Sequence, residues 1–270
     1  MNRTIQFFFL LFGASLLSMS CQDVIEVDLP PTEKRLVIDA LIPVPDNDSS
    51  NIVARIRLTE TTDYYADSVP TATGAVIELR GETSTFRLDE EANGYYSTVV
   101  PREIIMNEMM SLTVIHKDET YRSTTLYVPS VSIDSLKQGD KSLFGGDETE
   151  IIIAYKDVAP REDFYLFNLD RGQFLTSEDT FYQGQAFSFS YFYENIEPRD
   201  TLDIQLLGIT KPFYDYMSIV INQSGQNSGN PFAAPPSDIR GNIINETDEG
   251  HYPLGYFSIS QAYYENIIIE

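Results

Sequence analysis

The sequence predicts an all-β (mainly) protein built as two β-sandwich domains, and three observations carry that prediction. Hydropathy alternates with a period of two in segment after segment, the segments are short, and Gly, Pro, Asn and Asp separate them at close intervals. A period of two puts successive side chains on opposite faces of a strand, and short strands recurring between turn signals make an antiparallel sandwich the economical architecture. At 270 residues the chain is too long for one small sandwich and suits two domains of ordinary size.

Taken in order, residues 1–20 form the first element. Arg3 provides a short positive start, Phe7–Leu17 is an apolar run of 11 residues, and Ser18 and Ser20 are small. A membrane-spanning helix needs roughly 20 apolar residues, so this run reads as an export signal. Cys21, the only cysteine, follows directly. A thiol there has no second cysteine to pair with, and no base or pocket to activate it. The segment "LLSMSCQD" resembles a bacterial lipoprotein signal, in which the cysteine is acylated, with palmitate for example, and becomes the first residue of the mature chain. Ser18 stands where an apolar residue is usual, and Met19 is bulky for its place. Lipid attachment at Cys21 is preferred over a plain secretory signal with an incidental cysteine and over an uncleaved anchor. Several acyl chains on one residue meet the two-signal requirement for stable anchoring.

Residues 21–34 read as a tether, since Pro30 and Pro31 cannot pair in a central strand. A first sandwich is expected over 35–129. Its clearest strand is "NIVARIRLT", with Ile52, Ala54, Ile56 and Leu58 on one face and Arg55, Arg57 and Thr59 on the other; Arg35–Ile42, Gly74–Arg80, Thr85–Leu88, Ser111–Lys117 and Tyr121–Val128 continue the pattern. A polar stretch with Gly145-Gly146, reading as a crossing strand and a loop, opens a second β-rich domain over 130–270. Its strands are Glu150–Lys156, Asp163–Asp170, Ala186–Tyr193 and Thr201–Ile209. The aromatic face Phe187, Phe189, Tyr191 and Tyr193 reads as core. One helix is expected at about 210–225, where Thr210 caps, Pro212 sits in the first turn and Phe213, Tyr216 or Met217 and Val220 recur at helical spacing before Gly225. A long polar loop follows to Asp238.

Composition limits the function classes. A formal charge of −23, from 18 basic and 41 acidic residues, repels phosphate backbones, and no basic patch offsets it, so nucleic acid is excluded as a partner. His116 and His251 have no cysteine or third histidine with which to complete a zinc set. No G-x-S-x-G, H-E-x-x-H, Walker loop or G-x-G-x-x-G is present, so no catalytic residue, metal or cofactor is assigned. Asp89–Gly94 opens like a calcium-binding loop but has Val100 where a bidentate Glu belongs, and Asp46–Asn51 lacks both Gly and Glu; both read as turns. Aromatics in loops at Tyr64-Tyr65 and Phe181-Tyr182 are the candidate ligand contacts for a small molecule, glycan or peptide. The tripeptides at 67–69, 134–136 and 200–202 look like short O-glycosylation sites of exported Bacteroidetes proteins.

The cysteine signal, "KRLVIDALI", "TATGAVIEL", "NGYYS" and the terminal "PFAAPPSDIRGNIIN…PLGYFSIS" together resemble the Bacteroidetes outer-membrane lipoprotein family designated domain of unknown function 4249 (DUF4249). The Gly241–Ile243 and Leu254–Ser258 pairing is the most specific part. The resemblance implies an immunoglobulin-like or transthyretin-like first domain, an outer-membrane or cell-surface location and a TonB-dependent receptor as partner in nutrient uptake. It implies no activity. The expected function is therefore that of a non-enzymatic accessory lipoprotein. A surface glycan or peptide binder is the alternative, and a hydrolase centred on His251 a further one.

Overall fold

The structure is a computed structural model that describes residues 33–63, 66–142, 146, 148–224 and 239–270. Lys34–Glu270 forms one compact unit. Its strands are β1 (Leu36–Pro45), β2 (Asn51–Glu60), β3 (Val76–Arg80), β4 (Thr85–Arg87), β5 (Asp89–Glu90), β6 (Tyr95–Pro101), β7 (Met110–His116), β8 (Glu119–Thr125) and β9 (Tyr127–Val128). They continue as β10 (Ile133–Gln138), β11 (Thr149–Lys156), β12 (Phe164–Asn168), β13 (Phe174–Glu178), β14 (Ala186–Tyr193), β15 (Thr201–Ile209), β16 (Ile244–Asn245) and β17 (Leu254–Ile268). Two α-helices accompany them among the described residues, α1 (Arg102–Asn107) and α2 (Lys211–Gln223).

The predicted all-β class holds, in three sheets. The largest runs β13-β12-β15-β17-β1-β2-β6-β5, with β9 beside β17; a second is β16-β8-β7-β3-β4, and a third is β10-β11-β14. The five-stranded sheet covers the β1-β2-β6 part of the large one. Between them lie Ile38, Ala40, Ile42, Ile56, Leu58, Ile77, Leu79, Leu112 and Val114, all fully buried. Alternation in the sequence puts them there, since β1 and β2 each turn every second residue inward. The three-stranded sheet covers one face of β12 and β15 over Ile151, Ile153, Tyr155, Tyr165, Phe167, Ile204 and Leu206. On the opposite face α2 lays Phe213 onto Phe164, Leu166, Leu207, Ile209 and Tyr256. β12 is thus covered on both sides, which is why "FYLF" is apolar throughout instead of alternating.

The last strand joins these layers. β17 pairs in parallel with β1 from Val37↔Leu254 to Pro45↔Ala262, and antiparallel with β15 from Thr201↔Ile268 to Leu207↔Ala262. Its Phe257 and Ile259 enter the first core, while Tyr256 and Ala262 enter the α2 face. Residues before position 129 supply most of the first core and none of the second, but Ile243, Phe257 and Ile259 join the first from the far end of the chain, and one sheet runs through both. Gly255 sits where β17 meets β1, at φ +107°, and a Cβ there would lie 2.0 Å from the Ile38 carbonyl oxygen. Only glycine fits that backbone.

The expected helix is present. Thr210 Oγ1 accepts the Phe213 N–H at 3.4 Å, and Pro212 occupies the first turn. The tether up to residue 32 and the greater part of the long loop expected after α2 lie outside the described residues. α1, β6, β13 and the full length of β17 go beyond the elements that the sequence pattern predicts.

Candidate functional site

A cleft of about 630 Å³ opens where four segments converge in the later half of the chain. Ser130 and Ser132 come from the run into β10, Asp134 from β10 itself, Lys156 from the end of β11, Asp157, Val158 and Ala159 from the loop beyond, Gly184 from the turn before β14, and Tyr263 from β17. The crossing segment is held by Ser130 N–H, which donates to Gln261 Oε1 at 2.9 Å. The Ser130 hydroxyl is buried beside the cleft with no hydrogen-bond partner among the described residues. Phe181, in the turn between β13 and β14, is 90% exposed, and Val158 of the cleft wall is also exposed.

Asp157 ties this cleft to a buried acidic group. Asp157, Asp163 and Asp179 each offer an oxygen, and the three lie within 4.8 Å of one another. All three are buried, which is unusual for carboxylates unless they are paired. Tyr165 donates to Asp157 and Asp163, Gly184 N–H donates to Asp157 at 2.6 Å, Asp163 N–H donates to Asp179 at 3.0 Å, and Arg161 Nε meets Asp163 at 2.5 Å. Burial pushes the Asp163 carboxyl above the usual carboxylate range, and Arg161 offsets part of that. Burial and the adjacent Asp157 carboxylate push the Tyr165 hydroxyl far up, so it remains a donor. The oxygen set is of the hard type that calcium uses, but the positive charge among these carboxylates is Arg161. The cluster clamps the loop after β11 and the turn after β13 onto β12, and so shapes the inner wall of the cleft.

The sequence did not single out this group. Its members stand 6 and 16 residues apart at strand ends, a spacing with no signature, and only their burial marks them. Of the candidate contacts, Phe181 lies on the surface, whereas Tyr182 does not. Its ring stacks on Phe187 at 4.3 Å, and its hydroxyl meets Tyr155 and Ser177 at 2.7 Å each. Tyr182 is a core residue, which corrects its reading as a ligand contact: in the turn closed by Tyr182 N–H to the Asp179 carbonyl its ring packs into the second core while Phe181 faces solvent. Cys21, Tyr64 and Tyr65 lie outside the described residues. The turn at 89–94 is built by Asn93 and Gly94 at positive φ, and Glu91 is bound to Arg55 and Ser97.

The histidines are engaged elsewhere. His116 is buried in β7, with Nε2 3.7 Å from Glu60 Oε1. His251 uses both ring nitrogens: Nδ1 meets Glu119 at 2.8 Å and Nε2 meets the Lys34 carbonyl at 2.9 Å. Glu119 also receives Tyr121 and Asn245. Burial alone would raise the Glu119 carboxyl, but the hydrogen bonds from Tyr121, His251 and Asn245 outweigh it and hold it below its ordinary value. This cluster pins the 245–253 turn to β8 and to the start of β1.

The sheets, the cores and the cleft define a mainly β protein of sandwiched sheets in which one long mixed sheet serves more than one core. The chain belongs to the family described as domain of unknown function DUF4249, whose model matches residues 22–265. No curated protein matches the sequence. Solved structures do, among them one described as "Structural insight into host cell surface retention of a 1.5-MDa bacterial ice-binding adhesin", at 10% identity and a TM-score of 0.23. That match covers 89% of this chain and 65% of the other, and a likeness so slight carries no argument about function. Among the described residues no helix is long and apolar enough to cross a membrane.

Proposed function

We propose that the protein is a lipid-anchored outer-membrane protein without enzymatic activity, serving as the accessory of a TonB-dependent receptor in nutrient uptake. The observation that carries this reading is Cys21, the only cysteine, placed directly after the export segment of residues 1–20 and ahead of a β-sandwich body. Membership of DUF4249 supports it, because the family resembles lipoproteins of that kind. The engagement of both His251 nitrogens in a structural cluster argues against the hydrolase reading. Affinity purification from gently solubilised outer membrane is expected to recover a large β-barrel receptor together with a chain that begins at acylated Cys21. An unmodified Cys21, or recovery of the protein alone at native expression, overturns the proposal.

The second reading is a surface binder of glycan or peptide. The specific observation in its favour is the cleft, with the exposed Val158 beside polar Ser130, Asp134 and Lys156. Apolar rims with a few convergent polar groups are the usual make-up of ligand sites. A glycan and peptide panel read by calorimetry tests it, and no binding to any member removes it.

A further inference from the structure

The sheets have six free ends, and five are protected in the ways proteins use against strand pairing. β4, β5 and β16 are two or three residues long; β13 ends in Glu178 and packs against α2; β10 carries Asp134 and Lys137 and has a register shift between Ile133 and Ser135. β14 has none of these devices. It is eight residues, "AFSFSYFY", without a charge, a proline or a bulge, in a chain of net charge −23, and its pairing to β11 is unbroken from Thr149↔Tyr193 to Lys156↔Ala186.

The direction of its free groups follows from one bond. Asp157 N–H donates to the Gln185 carbonyl. Alternation along an antiparallel ladder then turns the main-chain groups of Phe187, Phe189, Tyr191 and Tyr193 toward β11, and those of Ala186, Ser188, Ser190 and Phe192 outward. No described strand receives them. The side chains of Ala186, Ser188 and Ser190 are exposed, and the rings of Phe187, Phe189 and Tyr191 are only half-buried over the second core.

We propose that β14 pairs with β14 of a second copy of this chain, antiparallel about a two-fold axis at Phe189. The sequence is self-complementary about that residue. Phe187 falls opposite the partner's Tyr191, Ser188 opposite the partner's Ser190, and Ala186 opposite the partner's Phe192, so aromatic meets aromatic on the inner face and no like charges meet in the pairing. The register also agrees with the hydrogen-bond directions, since Ser188 and Ser190 both present outward groups while Phe189 does not. Aromatic cross-strand pairs are favourable, and an isologous contact closes at two copies. Strand pairing alone buries less than the roughly 1,200 Å² of a firmly held interface, so the dimer is a weak one.

Sedimentation of the mature protein in detergent is expected to show a monomer–dimer equilibrium that tightens as salt is added, because salt screens the repulsion between two acidic copies. Ser188→Pro removes an outward N–H that β11 does not use, and the two-fold axis doubles the loss. It is expected to weaken the dimer by more than about tenfold with the circular dichroism spectrum unchanged, while Ser188→Ala leaves the dimer intact. A readout without any variant is amide exchange by NMR. The amides of Ser188 and Ser190 gain protection only as the dimer forms, while those of Phe187 and Phe189 are protected throughout. A monomer at every concentration and salt level overturns the proposal. So does a dimer indifferent to a folded Ser188→Pro, or protection of the Ser188 and Ser190 amides already in the monomer, which would mean that another segment or partner covers the edge.

Discussion

Gly255, Glu119 and the pair Phe181-Tyr182 show how single residues in this protein divide between fold and surface. Gly255→Ala adds a Cβ 2.0 Å from the Ile38 carbonyl oxygen at a φ of +107°, so β17 and β1 must separate or strain. A loss of at least about 2 kcal/mol is expected in urea unfolding, the backbone conformation alone accounting for about 1–2 kcal/mol. Glu119 makes a pH prediction. Its carboxyl is held below its ordinary value in the folded chain, so it contributes stability that is present above the unfolded carboxylate pKa and is lost as pH falls through the folded one. Glu119→Gln is expected to cost about 1.5–3 kcal/mol at pH 7 and progressively less below about pH 4.5, a convergence that urea midpoints measured across that range will show. The aromatic neighbours separate in the same assay. Tyr182→Phe removes hydrogen bonds to Tyr155 and Ser177 and is expected to cost about 1–2 kcal/mol, whereas Phe181→Ala leaves stability unchanged. A glycan or peptide that binds in the cleft is expected to lose affinity with Val158→Ala, read by calorimetry.

Elements whose partners are close in the chain, or whose faces differ sharply, could be read from the sequence; the others could not. β2 and α2 are of the first kind. β2 alternates Ile52, Ala54, Ile56 and Leu58 against arginines, and α2 begins with a capping threonine and Pro212 before a helical apolar stripe. Thr210→Ala tests the cap, and because the Phe213 N–H lies 3.4 Å away, the expected cost is at the low end, about 0.5–1 kcal/mol by thermal unfolding. β17 is of the second kind. Covered on both faces from Gly255 to Ser260, it shows no alternation of burial there, and its parallel partner β1 lies more than two hundred residues earlier, a pairing no local pattern reports. α1 was hidden for another reason, since six residues of "REIIMN" make too short a helix for a period to show. The cleft is a further case: its walls come from four separated segments, which no local pattern brings together.

The large sheet decides how the molecule as a whole unfolds. Were the sandwiches independent, residues 35–129 would hold their own core, and the chain would show two transitions. Yet that core includes Ile243, Phe257 and Ile259, all supplied from beyond position 240, and β1 is flanked on one side by β2 and on the other by β17. Removing β17 strips β1 of a nine-residue parallel ladder, bares the face that Phe257 and Ile259 fill, and leaves a hydrogen-bonding edge along the most apolar strand of the first sandwich. Loss of two large buried side chains alone costs about 4–10 kcal/mol, comparable to the whole stability of a domain this size. A fragment of residues 34–129 is therefore expected to be unfolded or aggregated, with no near-ultraviolet circular dichroism and no slow amides, while Lys34–Glu270 melts in a single calorimetric transition. A folded, cooperative 34–129 fragment would show that β17 only docks on a finished sandwich; its failure to fold would show that the chain must be complete to its last strand before its first core can close.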